Sequence, residues 1–208
     1  MTITDNKRKE HWENVYETKG DQEVSWYQET PTTSLDLINS LHLDTDAPII
    51  DIGGGNSNLS AVLLKQGHTN LSVLDISTKS LERTKAKLGQ DAGKIDWIVS
   101  DILDFKPKQQ YDLWHDRATF HFLTSENNIA KYVDSVNYAV KKGGYMIIAT
   151  FSTSGPKKCS GLDIIQYSEE KLKTIFNDRF ELVKAFEEVH QTPFNTEQNF
   201  IYTVFKKL

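Results

Sequence analysis

The segment Asp51-Ile52-Gly53-Gly54-Gly55-Asn56-Ser57 joins a strand-end carboxylate to a glycine turn and a helix start. Glycines there let the backbone turn sharply and come close to a ligand. The helix that follows presents unpaired amides, and Ser57 or Asn58 can cap it. The dinucleotide fingerprint G-x-G-x-x-G places a third glycine where this chain has Asn58. A carboxylate at Asp51 would repel a pyrophosphate but could pair with an ammonium group. About 20 residues further on, where an acidic residue accepts from ribose hydroxyls, stands Asp75. Asp101 closes a third apolar run, where it can accept from an adenine amino group while Ile102 lines the ring face. Three acids closing three successive strands point to an adenosine ligand with a cationic tail.

S-adenosylmethionine (SAM) fits that description, because it has an ammonium group and no phosphate. In this order and spacing the chain resembles the class I SAM-dependent methyltransferases. His11-Trp12-Glu13-Asn14-Val15-Tyr16 and Val24-Ser25-Trp26-Tyr27-Gln28 resemble a subgroup of small bacterial enzymes and some protein-lysine methyltransferases. The resemblance implies Asp51, Gly53 and Gly55 at the methionine end and Asp75 at the ribose, with Ser57 and Ile76 as further cofactor-binding candidates. It further implies Asp101 and Ile102 at adenine, with Trp26 closing over the cofactor. The product of such an enzyme is S-adenosylhomocysteine (SAH).

The segment Trp114-His115-Asp116-Arg117-Ala118-Thr119-Phe120-His121-Phe122 follows the fourth strand, at the edge where a transferred methyl would lie. The bland reading is an Asp116/Arg117 surface ion pair, worth at most about 1 kcal/mol. The sharper reading puts His115 beside the methionine part, with Asp116, Arg117 and His121 facing an acceptor; His115, Asp116 and His121 are the candidate acid–base groups. Tyr27, Arg117 and Phe120 are candidate acceptor contacts. His190, Pro193 and Gln198 fit substrate recognition and ordinary turn structure equally well. Gly155 to Leu162 could fold over the site as a lid, and nothing marks Cys159 as an activated nucleophile. The six histidines have no metal-ligand spacing, so no metal is expected.

Elements that would position these residues follow from hydrophobic patterning. Apolar runs at Ile49–Ile52, Leu71–Asp75, 96–99, 111–115 and 145–151 alternate with helical stretches over 59–66, 77–88 and 127–140. A helix over 168–177 precedes two successive strands, 180–189 and 199–205, which can pair antiparallel. The expected fold is α/β: a Rossmann-like three-layer α-β-α sandwich with a mostly parallel seven-stranded sheet and an antiparallel C-terminal strand. Residues 1–47 form an N-terminal helical cap on the core of 48–208, together one methyltransferase domain.

With 208 residues and 38% hydrophobic content, the chain can bury such a core without disulfides, and its one cysteine can form none internally. It has no leader-like apolar core and no run long enough for a bilayer, so a cytoplasmic protein without a membrane role is expected. A net charge of −5 disfavours nucleic acid. The clusters Lys7-Arg8-Lys9 and Lys206-Lys207 read as solvated ends. The expected partner is a small-molecule or protein-lysine acceptor, with the chain a monomer or homodimer. A non-catalytic SAM-binding module is the competing reading from another class.

Overall fold

The computed structural model describes residues 5–208, with side chains from Lys7 onward. Met1 to Thr4, part of the segment read as lacking a leader, lie outside the described residues. Strands β1 (Ile49–Ile52), β2 (Leu71–Asp75), β3 (Ile95–Val99), β4 (Tyr111–Arg117), β5 (Val140–Phe151), β8 (Phe180–Gln191) and β9 (Glu197–Lys207) form one sheet in the order β3-β2-β1-β4-β5-β9-β8. The first five are parallel neighbours. Strand β9 is antiparallel to both β5 and β8. A short hairpin, β6 (Lys158–Cys159) with β7 (Leu162–Asp163), stands apart from the sheet.

Side chains alternate between the faces of a strand, and each face here builds its own core. Ile50, Ile52, Trp114, Met146 and Ile148 pack against Tyr132 and Val136 of α5 (Glu126–Ala139) and Leu172 and Phe176 of α6 (Glu169–Phe176). On the opposite face Ile49, Val73, Leu113 and Ile147 meet Leu35 and Ile38 of α2 (Thr32–Ser40), Leu59 and Leu63 of α3 (Leu59–Lys65), and Leu81 of α4 (Thr78–Leu88). That is the expected three-layer arrangement.

The helix starts are chemically fixed. Ser77, Ser125 and Ser168 each accept from the backbone N–H three residues on. Strand β5 begins at Val140 instead of Tyr145, because α5 stops at Ala139 and Val140 already pairs with Tyr111. Gly143, with φ of 76°, and Gly144 lie inside the strand.

Helix α1 (Asp5–Thr18) is strapped to α4: the Glu13 carboxylate accepts from Ser77 Oγ and Thr78 N, both at 2.8 Å, and from Lys79 N at 3.1 Å. Burial alone would raise Glu13, but these hydrogen bonds outweigh it and hold its pKa below the ordinary value. Arg83 of α4 donates to the carbonyls of Tyr16 and Lys19. The N-terminal cap is thereby anchored over the C-terminal ends of β1, β2 and β3, where open α/β sheets bind ligands. The basic ends are not solvated tails: Arg8 pairs with Asp101, and Lys207 Nζ donates to the carbonyls of Asn137 and Val140 at the end of α5. Among the described residues no helix is long and apolar enough to cross a membrane.

Candidate active site

Two cavities meet above the β1, β2 and β4 ends. One is lined by Asp51, Gly53, Gly54, Ser57, His115 and Tyr27, among others. The other is lined by Asp75, Ile76, Asp101, Ile102 and Leu123, together with Trp12 and Phe122. Tyr16, Trp26, Gly53 and Arg117 line both and mark their junction.

The turn between β1 and α3 is shaped by the chain's own side chains. Gly53 has φ of 67°, and a Cβ there would run into the Thr119 hydroxyl. A Cβ on Gly54 would meet the Asp51 carboxylate, and one on Gly55 the Ser80 hydroxyl and Asp75. These glycines therefore leave room for the side chains packed against the turn.

Asp51 is buried at the methionine-end cavity. Its Oδ1 lies 2.7 Å from His115 Nδ1, whose Nε2 lies 2.9 Å from Ser34 Oγ on α2. A carboxylate only accepts, so Nδ1 carries the proton toward Asp51. Asp51 Oδ2 is buried with no partner, an acceptor poised for a cation. Both ring nitrogens of His115 are engaged, so this histidine orients Asp51 and presents no free base.

Asp75 is likewise buried and accepts from Gly55 N at 3.0 Å and Ser77 N at 2.8 Å. Burial, against these hydrogen bonds, raises its pKa to about 6. Ribose hydroxyls donate best to the ionised form, so SAM affinity should fall as pH drops through about 6. The decline should reach at most about tenfold per pH unit. A titration of dissociation constants between pH 5 and 8, flattened in Asp75→Asn, checks this; an unchanged profile in the variant rules Asp75 out as the source.

Asp101 lines the adenosine-end cavity, with Oδ1 accepting from Leu103 N at 2.9 Å. Its Oδ2 takes Arg8 Nε at 3.1 Å and Nη2 at 2.9 Å; the two side chains are 15% and 11% exposed. Arg8 is thus part of the cavity wall, a contact that reading the basic cluster as a tail had missed. No local pattern signals it, since the partner lies 93 residues away.

Strand alternation sorts the segment after Trp114. His115 and Arg117 share the face of Leu113 and reach the cavities, whereas Asp116 shares the face of Trp114 and points into the opposite core. Asp116 is fully buried and accepts from Tyr132 Oη at 2.6 Å, Thr119 N at 3.0 Å and Phe120 N at 3.2 Å. It neither faces an acceptor nor pairs with Arg117. Phe120 is packed between Tyr132, Tyr167 and Phe176 and lines neither cavity. His121 is also fully buried, stacked on Phe151, and burial followed by the charge of Arg117 lowers its pKa to about 3. It too is absent from both cavity walls. The alternation of Asp116 against His115 and Arg117 was available in the sequence once β4 extends to Arg117.

The β6–β7 hairpin does fold over the site and contributes Cys159 to the adenosine-end cavity, with the thiol pushed up to about 12 by burial. His190 Nε2 donates to the Ser25 carbonyl at 2.8 Å; His190, Pro193 and Gln198 line neither cavity. Ser34, Thr119 and Leu123 line the cavities without having been singled out in the sequence. Among the described residues, no group of three or more His, Cys, Asp or Glu could hold a metal ion.

The residues fit SAM. A buried carboxylate oxygen of Asp51 lacks a partner and could take a cation, Asp75 and Asp101 could accept from hydroxyl and amino groups, and Leu74, Ile76, Ile102 and Leu123 offer apolar walls. Fold and site together define a SAM-binding Rossmann-like domain. The comparisons agree: residues 49–144 match the family model described as a methyltransferase domain. Over those residues, a little under half of the chain, the protein is similar to that family.

Malonyl-[acyl-carrier protein] O-methyltransferase 2 of Ilyobacter polytropus is 28% identical over 67% of this chain. The chain spans 57% of that relative's length and 61% of a second malonyl-[acyl-carrier protein] O-methyltransferase from the same organism. EEF1A lysine methyltransferase 2 of Danio rerio is 27% identical, over 85% of this chain and 76% of its own. A SAM-dependent methyltransferase from Anabaena variabilis superposes with a TM-score of 0.77 at 18% identity, covering 100% of this chain and 96% of its own. The Burkholderia thailandensis 1,6-didemethyltoxoflavin-N1-methyltransferase, solved with SAH, does so at 0.75 and 15% identity, with 100% and 92% covered.

Proposed function

We propose that the protein transfers a methyl group from SAM to a small-molecule acceptor bound beside Arg117, in one functional unit of cap (1–47) and core (48–208). The observation that carries this is the junction of the two cavities, walled by Tyr16, Trp26 and Arg117 under the N-terminal cap. An enclosed junction suits an acceptor that enters whole. When bound, SAM supplies an electrophilic methyl on a sulfonium; the acceptor atom bonds to that carbon as the carbon–sulfur bond breaks.

The chain's task is then alignment and exclusion of water. Asp51 holds the methionine ammonium through Oδ2 while His115 and Ser34 fix its orientation. Asp75 and Asp101 hold the ribose and the adenine amino group, and Trp12, Trp26 and Phe122 shield the junction. With both nitrogens of His115 engaged and Asp116 and His121 directed away, a proton leaving the acceptor departs to water. A cytoplasmic setting belongs to the same proposal and accords with Cys159 as a buried free thiol.

A second reading, methylation of a protein lysine, is favoured by the length over which the EEF1A lysine methyltransferase 2 relatives match. Incubating the protein and a cell lysate with methyl-labelled SAM separates these readings. Label in the small-molecule fraction supports the proposal, and label confined to protein supports lysine. SAM binding without SAH formation in either fraction leaves a non-catalytic SAM-binding module.

A further inference from the structure

Resting on the methyl-transfer reading, we infer that the acceptor carries an anionic group of carboxylate type, recognised by Arg117 at the junction of the two cavities. Arg117 closes β4 and is held from three directions. Its Nε donates to Tyr202 Oη at 3.0 Å and its Nη1 to the Trp26 carbonyl at 3.0 Å. Its guanidinium carbon sits 4.7 Å from the centre of the Phe200 ring. The remaining nitrogen, Nη2, is sealed from solvent and donates to nothing. No carboxylate among the described residues forms an ion pair with Arg117.

A part-buried guanidinium with a sealed, idle nitrogen and no counter-charge is costly, and such groups are almost always satisfied. The neutral partners already present fix its plane without neutralising it, which leaves a rigid positive charge in the wall that both cavities share. Guanidinium donors match carboxylate and phosphate geometry. Every carboxylate in the cavity walls, Asp51, Asp75 and Asp101, lies at the ends of β1, β2 and β3. Arg117 leans the other way, toward Tyr202 and Phe200 of β9. The positive charge is therefore set apart from the residues assigned to the methionine ammonium and the adenosine. A lysine ammonium entering the same junction would meet a like charge, which costs several kcal/mol when desolvated. Burial and the Arg117 charge keep His121 and His190 low, so neither ring adds a second cation there at neutral pH.

Two anions could use this donor: a carboxylate on the acceptor, which we assign, or the carboxylate of SAM itself. Calorimetric titration of the SAH-loaded protein with benzoate and with its neutral isostere benzamide distinguishes them. Saturable benzoate binding is expected, with benzamide weaker by about tenfold or more, the value of one charge-assisted hydrogen bond. Arg117→Gln should lower benzoate affinity by about tenfold, a larger loss than any it causes in SAH affinity. Arg117→Lys, which keeps the charge, should recover part of the benzoate affinity. The inference is overturned if benzoate does not bind or binds no better than benzamide, a comparison that needs no variant. It is equally overturned if Arg117→Gln weakens SAH and spares benzoate, because the donor's own carboxylate is then the ligand. Failure of the wild-type protein to bind SAH would refute the methyl-transfer reading itself, and this inference with it.

Discussion

Asp51→Ala is expected to raise the dissociation constant for SAM about 100-fold, because a charge-assisted hydrogen bond in a buried site is worth up to about 3 kcal/mol and each 1.4 kcal/mol is a decade. The carboxylate has two tasks at once. Oδ1 anchors His115, and Oδ2 is buried without a partner, the oxygen proposed to accept from the methionine ammonium. Alanine removes both. Asp51→Asn separates them, since the amide oxygen can still accept from His115 Nδ1 while the negative charge is gone. The asparagine variant should keep a near wild-type melting temperature and still lose most of the affinity. Calorimetric titration with SAM and with SAH measures both variants. Wild-type affinity in Asp51→Ala would remove Asp51 from the cofactor site.

Asp116→Ala should give the opposite signature, a large loss of stability with little change in the affinity of the folded fraction for SAM. The side chain satisfies the Tyr132 hydroxyl and two backbone amides inside the sheet–α5 core, and its removal orphans all three. Breaking a buried polar cluster of this kind costs about 3 to 5 kcal/mol. For a chain of this length that corresponds to a melting temperature lower by roughly 6 to 20 °C. Burial, against the Tyr132, Thr119 and Phe120 hydrogen bonds, raises Asp116 to about 6. A carboxyl whose folded pKa exceeds its unfolded value of 3.8 adds stability that is complete below that value and lost as pH rises through about 6. The wild type should accordingly lose this contribution between about pH 4 and 6, and Asp116→Asn should flatten that part of the stability profile. A thermal shift of a degree or less in Asp116→Ala, with methyl transfer abolished, would instead return Asp116 to the reacting groups.

The contrast between these residues marks where local reading stops. The placement of Asp51, Asp75 and Asp101 along adjoining cavities was legible because each closes an apolar run, and such ends converge on one edge of a parallel sheet. The surroundings of Arg117 were not, because Arg117, Tyr202, Phe200 and Trp26 come from separated parts of the chain. The expected participation of Asp116, Phe120 and His121 treated a dense polar and aromatic segment as though all of it faced one way. A strand cannot do that, and the turn after Arg117 carries Phe120 and His121 inward.

By itself the sequence determined the element order, the seven-stranded class of sheet and the nature of the methyl donor, because periodicity, glycine turns and strand-end charges act over a few residues. Tertiary structure decided that Arg8 closes on Asp101, that His115 is committed to Asp51 and Ser34, and that Arg117 keeps an idle donor at the junction. Those outcomes depend on which distant groups meet in a desolvated space, and whether a buried charge is satisfied there is a property of the assembled packing.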